Sequence, residues 1–403
     1  VSKVELHTKI DEVVRSKDVN GFELKKIDLG GKKYETPLKS IYISNKVPQT
    51  VRLSPSLYNL PYETNRVIWK SQQYESIERA IREGNEQRIR EILWTTEKLA
   101  RTNLSCVLSF SKFPMIELER RRFDEFLDFV HAFSRLLFVP NVRYSKHQKS
   151  AMEYDAKQFI DHVDFSVQSF HELNSKPIFV PLDIDLPQDI SGRILLHYKD
   201  KGYTNIWVDA KGKDLSSKAS IAKLRTLSKN IKRTLPDSLI YVTNMRNIPR
   251  DDEDALAPSD FLPVFMYADF IGAPFKGVMG FPPRVKGYAE NTEKPKVKRD
   301  ASLFDSSTYY YLLPDKIELA DEDLDNARRN ILNFKDDSKS RYSSYHVNSI
   351  LLSEEIKHLK GIVNEDQEII PYIREKKFFK EETGIFEELT RRPEKQLSIF
   401  ETL

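Results

Sequence analysis

Short apolar runs alternate along this chain with longer stretches of helical periodicity. Phe22–Asp28 and Lys33–Pro37, on either side of Leu29-Gly30-Gly31-Lys32, predict a β-hairpin, and Ile41–Ser44 predicts a strand after it. From Gln72 to Ala100 the apolar positions Ile77, Ala80, Ile81, Ile89, Ile92 and Leu93 fit a helix broken near Gly84. Leu104–Phe110 reads as strand, Ile116–Leu136 as helix, Leu137–Val142 as strand and Met152–Val163 as helix. Pro177–Ile184 then reads as a buried strand and Ser191–Lys201 as a helix closed by Gly202. Asn205–Asp209 is strand, Ser217–Arg233 helix and Leu239–Asn244 strand, before a helical Asp260–Tyr267 and a short strand at Asp269–Pro274.

Apolar strands separated by amphipathic helices predict an α/β fold, a parallel sheet covered by helices. Seven or eight such units over about 270 residues favour a closed (β/α)8 TIM-type barrel over an open sheet. The expected organisation is an N-terminal extension and hairpin over 1–40, a barrel over 41–312 and a C-terminal helical segment over 313–403. Within the barrel span, 276–300 is basic and non-periodic, with Arg284, Lys286, Lys296, Lys298 and Arg299 among prolines and glycines. It is either a solvated surface loop or an arm that contacts phosphates. The tail from Ser353 to Glu388 is charged and helical in pattern.

Composition narrows the function classes. In 403 residues, 64 basic side chains face 61 acidic ones, so any nucleic-acid-binding face must be local. Cys106 is the only cysteine, which excludes an intrachain disulfide and a cysteine-cluster zinc site. No apolar run approaches a membrane span and the first residues carry no signal core, so a cytoplasmic protein without membrane association is expected. No Gly-x-Gly-x-x-Gly or Walker-type phosphate loop occurs. The histidines show neither a His-Glu-x-x-His spacing nor a Ser/His/Asp pattern, and no metal or cofactor is expected.

In a barrel, functional side chains project from the carboxyl ends of the strands. Those ends supply Asn141 and Arg143, Asp183 and Asp185, Asp209 and Lys211, Asn244 and Arg246, and Asp269. Several carboxylates around one mouth suit a polar heterocycle, since an Asp offers two acceptors to the N–H edge of a purine. Asp is equally common there as a helix N-cap. Beyond them, Ser302-Leu-Phe-Asp305-Ser-Ser-Thr-Tyr309 sets one carboxylate at the end of an apolar run among hydroxyl residues. Such a setting suits a nucleophile, and equally a strand end whose Asp caps the next turn.

The string Leu303-Phe-Asp305-Ser resembles the nucleophile strand of the tRNA-guanine transglycosylase superfamily, in its archaeal-type and DNA 7-deazaguanine branches. Three further segments are similar to that family in the same order: the hairpin Phe22–Pro37, Val180-Pro-Leu-Asp183-Ile184, and Tyr345-His346-Val-Asn348. The resemblance spans residues 22–362. It implies base exchange, in which Asp305 attacks C1′ of a nucleotide, expels guanine and yields a glycosyl-enzyme that a 7-deazaguanine then resolves. It assigns Asp183 to base recognition; Asp185, Asp209, Asp269 and Asn244 are substrate-facing candidates from their strand-end positions alone. Arg284, Lys286, Lys296, Lys298 and Arg299, with Arg120-Arg121-Arg122, would hold the polynucleotide.

Three family features are missing, the first being an obvious counterpart of the C-terminal RNA-binding module of the archaeal tRNA enzymes. Of the zinc-binding cysteines and histidine only His346 has a counterpart, so a zinc-independent protein is implied. The Asp-Ser-Gly general acid/base motif is absent, with Asn141 or Phe110 at the corresponding strand. Because the usual tRNA-binding additions are missing, the expected partners are DNA, slightly favoured over tRNA, and a 7-deazaguanine base, with a homodimer or heterodimer as the assembly. A catalytically silent barrel that binds nucleic acid or pairs with an active subunit is the alternative. An unrelated barrel enzyme acting on a small polar metabolite is the third. If Leu104–Phe110 is the third barrel strand, Asp269 falls on the eighth and Asp305 lies beyond it; the longer local match favours Asp305.

Overall fold

The computed structural model describes residues 8–48, 51, 60–68, 70–96, 104–111, 114, 118–143, 152–173, 176–247, 255–275 and 301–391. An antiparallel sheet opens the chain: β1 (Thr8–Arg15), β2 (Glu23–Leu29) and β3 (Lys32–Thr36), with β2 and β3 turning at Gly30-Gly31. Both glycines have positive φ, 58° and 79°, which the tight turn requires and side chains resist.

The parallel strands follow: β4 (Leu38–Lys39), β5 (Ile41–Tyr42), β6 (Tyr62–Ile68), β7 (Leu104–Phe110), β8 (Leu137–Phe138), β9 (Asn141–Val142), β10 (Ile178–Asp183), β11 (Asn205–Asp209) and β12 (Leu239–Thr243). After β13 (Ala255–Leu256), β14 (Phe270–Ile271) rejoins the parallel set. One sheet has the order β4-β14-β12-β11-β10-β8 and the other β5-β6-β7-β9. The two adjoin twice. Only Ser40 separates β4 from β5, and only Val139-Pro140 separates β8 from β9. The helices α1 (Ser71–Arg82), α2 (Glu86–Ile92), α3 (Arg120–Phe133), α4 (Met152–Leu173), α5 (Gln188–Lys201) and α6 (Lys218–Thr234) fall between strands, giving a mixed α/β fold on a curled parallel sheet. α5 ends at Gly202 in the left-handed region, and Ser217 caps α6 by accepting from Ser220 N.

Side chains alternate between the two faces of each strand. On the concave face, Phe138, Phe179, Trp207, Tyr241 and Phe270 pack together with Val107, Leu136 and Leu239. Phe138 lies 4.8 Å from Tyr241 and 5.1 Å from Phe179 between ring centroids, and Trp207 Nε1 donates to Val139 O at 3.0 Å. Ile27, Leu29 and Tyr34 of the N-terminal sheet close this core from one end. Each fully buried side chain of this size contributes roughly 1.5–3 kcal/mol.

The chain then forms a second antiparallel sheet, β13 with β15 (Leu303–Asp305) and β16 (Tyr310–Leu312), in the order β13-β16-β15. The C-terminal helices are α7 (Glu322–Asn333), α8 (Asp337–Asn364), α9 (Ile369–Arg374), α10 (Lys377–Glu381) and α11 (Thr383–Thr390). α8 ties the hairpin to the sheet: Asn348 accepts from Phe304 N and donates to Ser302 O, each at 2.9 Å. His346 Nδ1 donates to Tyr42 O at 2.8 Å. The helical segment expected at Asp260–Tyr267 is instead a single 3-10 turn, Leu262–Phe265, with Pro263 in its first turn denying a backbone donor. Among the described residues no helix is long and apolar enough to cross a membrane.

At the amino end of β14, Asp269 is 2% exposed and forms an ion pair with Lys25, which is 3% exposed. Asp269 also accepts from Thr36 Oγ1 at 3.2 Å and from Ile240 N at 2.8 Å, joining β3, β12 and β14. Burial pulls the Lys25 ammonium down, but the charges of Asp269 and Glu23 outweigh it and leave Lys25 above its ordinary value. Asp269→Ala should therefore lower the unfolding free energy by about 3–5 kcal/mol, the cost of stranding a buried charge. Urea melts of the two proteins measure this.

Candidate functional site

Beyond the aromatic layer the inward positions turn polar. Glu63 and Asn65 on β6, Ser109 on β7, Asn141 on β9, Asp183 on β10, Asp209 on β11, Thr243 on β12 and Asn244 after it are all buried. Ser109, Asn141, Asp183, Asp209, Thr243 and Asn244 lie at or next to the carboxyl ends of the parallel strands, whereas Glu63 and Asn65 stand in the first half and the middle of β6 and reach Thr243 and Asn244 by hydrogen bonds. Asp209 is the centre. Its carboxylate accepts from Ser109 Oγ at 3.0 Å, Asn141 Nδ2 at 3.0 Å, Asn244 Nδ2 at 2.8 Å and Lys211 N at 2.9 Å. Arg143 adds Nε at 3.3 Å and Nη2 at 3.4 Å. Burial pushes the Asp209 carboxyl up, yet the Arg143 charge and these donors outweigh it and hold the group below the ordinary range.

Asp183, the register neighbour of Asp209, is held the other way. Burial raises it, the Asp209 charge adds to the rise, and the Lys211 ammonium counters only in part. Lys211 forms an ion pair with Asp183 and sits at φ 52°, a left-handed conformation uncommon for Lys, before Gly212 at 75°. Asp185 lies further out and pairs with Lys223 at 2.9 Å and Lys213 at 3.1 Å. Two buried oxygens of this group make no hydrogen bond among the described residues: Asp183 Oδ2, which meets Lys211 as an ion pair, and Asn141 Oδ1, whose amide nitrogen is turned to Asp209.

A second group locks the rim. Glu63 accepts from Tyr241 OH, from Thr243 Oγ1 at 2.9 Å and from Ala273 N at 2.9 Å. Asn65 Nδ2 donates to Asn244 Oδ1, so the Glu63 and Asp209 groups form one continuous network. Burial raises the Glu63 carboxyl. Gly272 is pressed against it: a Cβ there would overlap Glu63 Oε2 and the Thr243 side chain.

Of the residues singled out in the sequence, Asn141, Asp183, Asp185, Asp209 and Asn244 converge here. Asp269 does not. It precedes β14 and so stands at the amino end of the sheet, in the ion pair with Lys25. Asp305 is also elsewhere. β14 pairs with β4, so Asp305 lies beyond the parallel set, at the end of β15. Its carboxylate is taken up by its own turn, accepting from Ser307 N at 3.0 Å, Ser307 Oγ at 2.8 Å and Thr308 Oγ1 at 2.6 Å. Arg284, Lys286, Lys296, Lys298 and Arg299 fall outside the described residues. Arg121 and Arg122 both pair with Glu125, and Arg120 lies over the Phe165 ring. No group of His, Cys, Asp and Glu suited to a metal occurs among the described residues, and His346 serves as a helix-to-strand tie.

Glu63, Asn65, Ser109 and Thr243 escaped the sequence reading. Glu63 and Asn65 lie in four consecutive polar residues, Glu63–Arg66, a run too polar to read as a buried strand, and Ser109 and Thr243 are single small hydroxyls inside apolar runs. No protein-family model matches the chain, and no curated protein matches it.

His162 fixes the break between β8 and β9. Its Nε2 donates to Pro140 O at 2.9 Å, one residue before Asn141, and its ring stacks on Phe123. Burial lowers its pKa to about 4. The unfolded chain binds a proton near pH 6.5 and the folded chain does not, so this contribution is complete above 6.5. It should fall by about 3 kcal/mol as the pH drops towards 4. Denaturant melts across that range check it, since His162→Gln should lose this part of the acid sensitivity. Gly272→Ala should cost about 1–3 kcal/mol through overpacking at Glu63, seen as a lower Tm.

Proposed function

We propose that the two parallel sheets are one closed (β/α)8 barrel, with β4–β5 and β8–β9 each acting as a single strand shared by both sheets. The polar rim is then its substrate site, in the position where barrels of this class carry out their chemistry. The ligand that suits it is a nitrogen heterocycle presenting N–H groups, such as guanine or a 7-deazaguanine. Asp183 and the unpartnered Asn141 Oδ1 are the acceptors for it. The observation that carries this reading is the convergence of Asp183, Asp209 and Asn141 on adjoining strand ends, with Asn141 Oδ1 buried and without a hydrogen-bond partner among the described residues. Asp209 stays ionised and orients its neighbours, while Asp183, raised by burial and paired with Lys211, is suited to exchange a proton.

The resemblance to transglycosylases remains a proposal for the reaction, in altered form. Exchange at a glycosidic carbon needs a carboxylate at the site, and the placement of Asp305 in a self-satisfied turn gives that residue no support as the nucleophile. Asp183 is the candidate in its place: its carboxylate would bond to C1′ as the C1′–N bond breaks and the released base takes up a proton from water, and an incoming base would lose a proton to water as it bonds to C1′ and frees the carboxylate. A barrel that binds the base without exchange is the second reading, favoured by the complete engagement of Asp209 and Glu63 by structural donors.

Calorimetry with guanine and 7-deazaguanine, together with incorporation of labelled base into tRNA and duplex DNA, tests this. Asp183→Asn should weaken base binding by about tenfold or more, the loss of one charge-assisted hydrogen bond, and abolish incorporation, while Asp305→Asn retains both. Binding without incorporation would establish the silent barrel. Incorporation lost only in Asp305→Asn would return the nucleophile to Asp305.

A further inference from the structure

On the outward side of β6, next to the rim residue Asn65, Arg66 is a half-buried cation for which the described residues supply no carboxylate. Its Nε donates to Ile92 O at 2.8 Å, closing the carboxyl end of α2. That bond uses one of the five N–H groups of the guanidinium. Neither Nη group makes a hydrogen bond or ion pair with the described residues. The flat face of the guanidinium lies on the Trp94 indole, 3.8 Å from the ring centroid. Trp94 is held there at φ 58°, a conformation rarely adopted by a bulky residue, with its carbonyl accepting from Asn45 N at 3.1 Å.

Around this pair stand Tyr342, edge-on to Trp94 at 5.8 Å, then Tyr42 and Tyr345. Arg341 adds a second positive charge beside Tyr342. Burial lowers the Arg66 pKa, with the phenols of Tyr342 and Tyr42 acting in the opposite direction. A helix cap uses only one edge of the guanidinium. The other edge, with phenols nearby and no carboxylate against it among the described residues, is the rigid fork of paired N–H donors that an oxyanion accepts from.

We propose that Arg66, with Trp94 and Tyr342, forms a phosphate-binding subsite beside the rim. Phosphate suits it because the guanidinium fork lies on the Trp94 indole, an aromatic face of the kind on which the base of a nucleotide unit stacks. The free monophosphate and a polynucleotide backbone share that chemistry. The subsite stands on its own geometry and does not depend on what the rim does.

Titration of the full chain with inorganic phosphate, a nucleoside monophosphate and a short single-stranded oligonucleotide tests it. Tryptophan fluorescence and the phosphate-induced rise in Tm are the readouts. Saturable binding with Kd at or below about 1 mM is expected for at least one of the three, with the tightest ligand identifying the source of the phosphate. Arg66→Gln should abolish it. Arg66→Lys, which keeps the charge and loses the fork, should weaken it by about tenfold, as loss of one charge-assisted bond implies. No saturation by any of the three, equal binding by Arg66→Gln, or equal saturation by acetate would overturn the proposal.

Discussion

The carboxyl ends of the parallel strands are organised by a single buried anion. Asp209 has no exposure to water, so its charge is tolerable only because donors from β7, β9, the turn after β11 and the end of β12 converge on it. Each donor arrives from a different strand, so the satisfaction of one carboxylate fixes the mutual positions of several strand ends. Asn244 reaches it through a left-handed backbone at φ 64°, which Asn tolerates better than most residues. The same demand leaves Asn141 with its carbonyl oxygen unanswered, so satisfying Asp209 creates the acceptor that a ligand would fill.

A counterpart operates at the opposite end of the sheet. Asp269 there is bonded by Lys25, Thr36 and Ile240 N. Both ends thus have a buried aspartate, and their roles differ through surroundings. Asp269 meets a hairpin that seals the aromatic core. Asp209 meets a buried layer of Asn and Ser side chains, the Lys211 backbone and Arg143. Conserving charge inside a low-dielectric interior requires pairing in either case, but only the second arrangement retains an unpartnered acceptor.

The Asp305 segment shows how local sequence can carry two meanings. An Asp followed by Ser, Ser and Thr is what a nucleophile surrounded by donors looks like, and it is also an Asp that closes its own turn. The hydroxyls of Ser307 and Thr308 bind the carboxylate of Asp305 itself, and the chain reverses into β16. Similarly, Tyr345-His346-Val-Asn348 serves as mechanical support. His346 grips Tyr42 and Asn348 clamps the backbone of β15, which needs those residue types as much as a metal site would.

The sequence alone determined the elements whose burial is complete. β10, β11 and β12 read clearly because every residue is apolar or nearly so, and their helices because one face is apolar, so local pattern and final environment agree. It also placed Asn141, Asp183, Asp209 and Asn244 at strand ends, since the last residue of a buried run is where polarity resumes. Tertiary structure decided the rest. Glu63 and Asn65 of β6 can be buried because they meet Thr243 of β12 and Asn244 just after it, and no local window contains those partners. Whether Asp269 and Asp305 belonged to the site depended on where β14 begins and which strand it joins. Pairing between strands more than 200 residues apart in sequence settles that, as with Asp269 and Lys25.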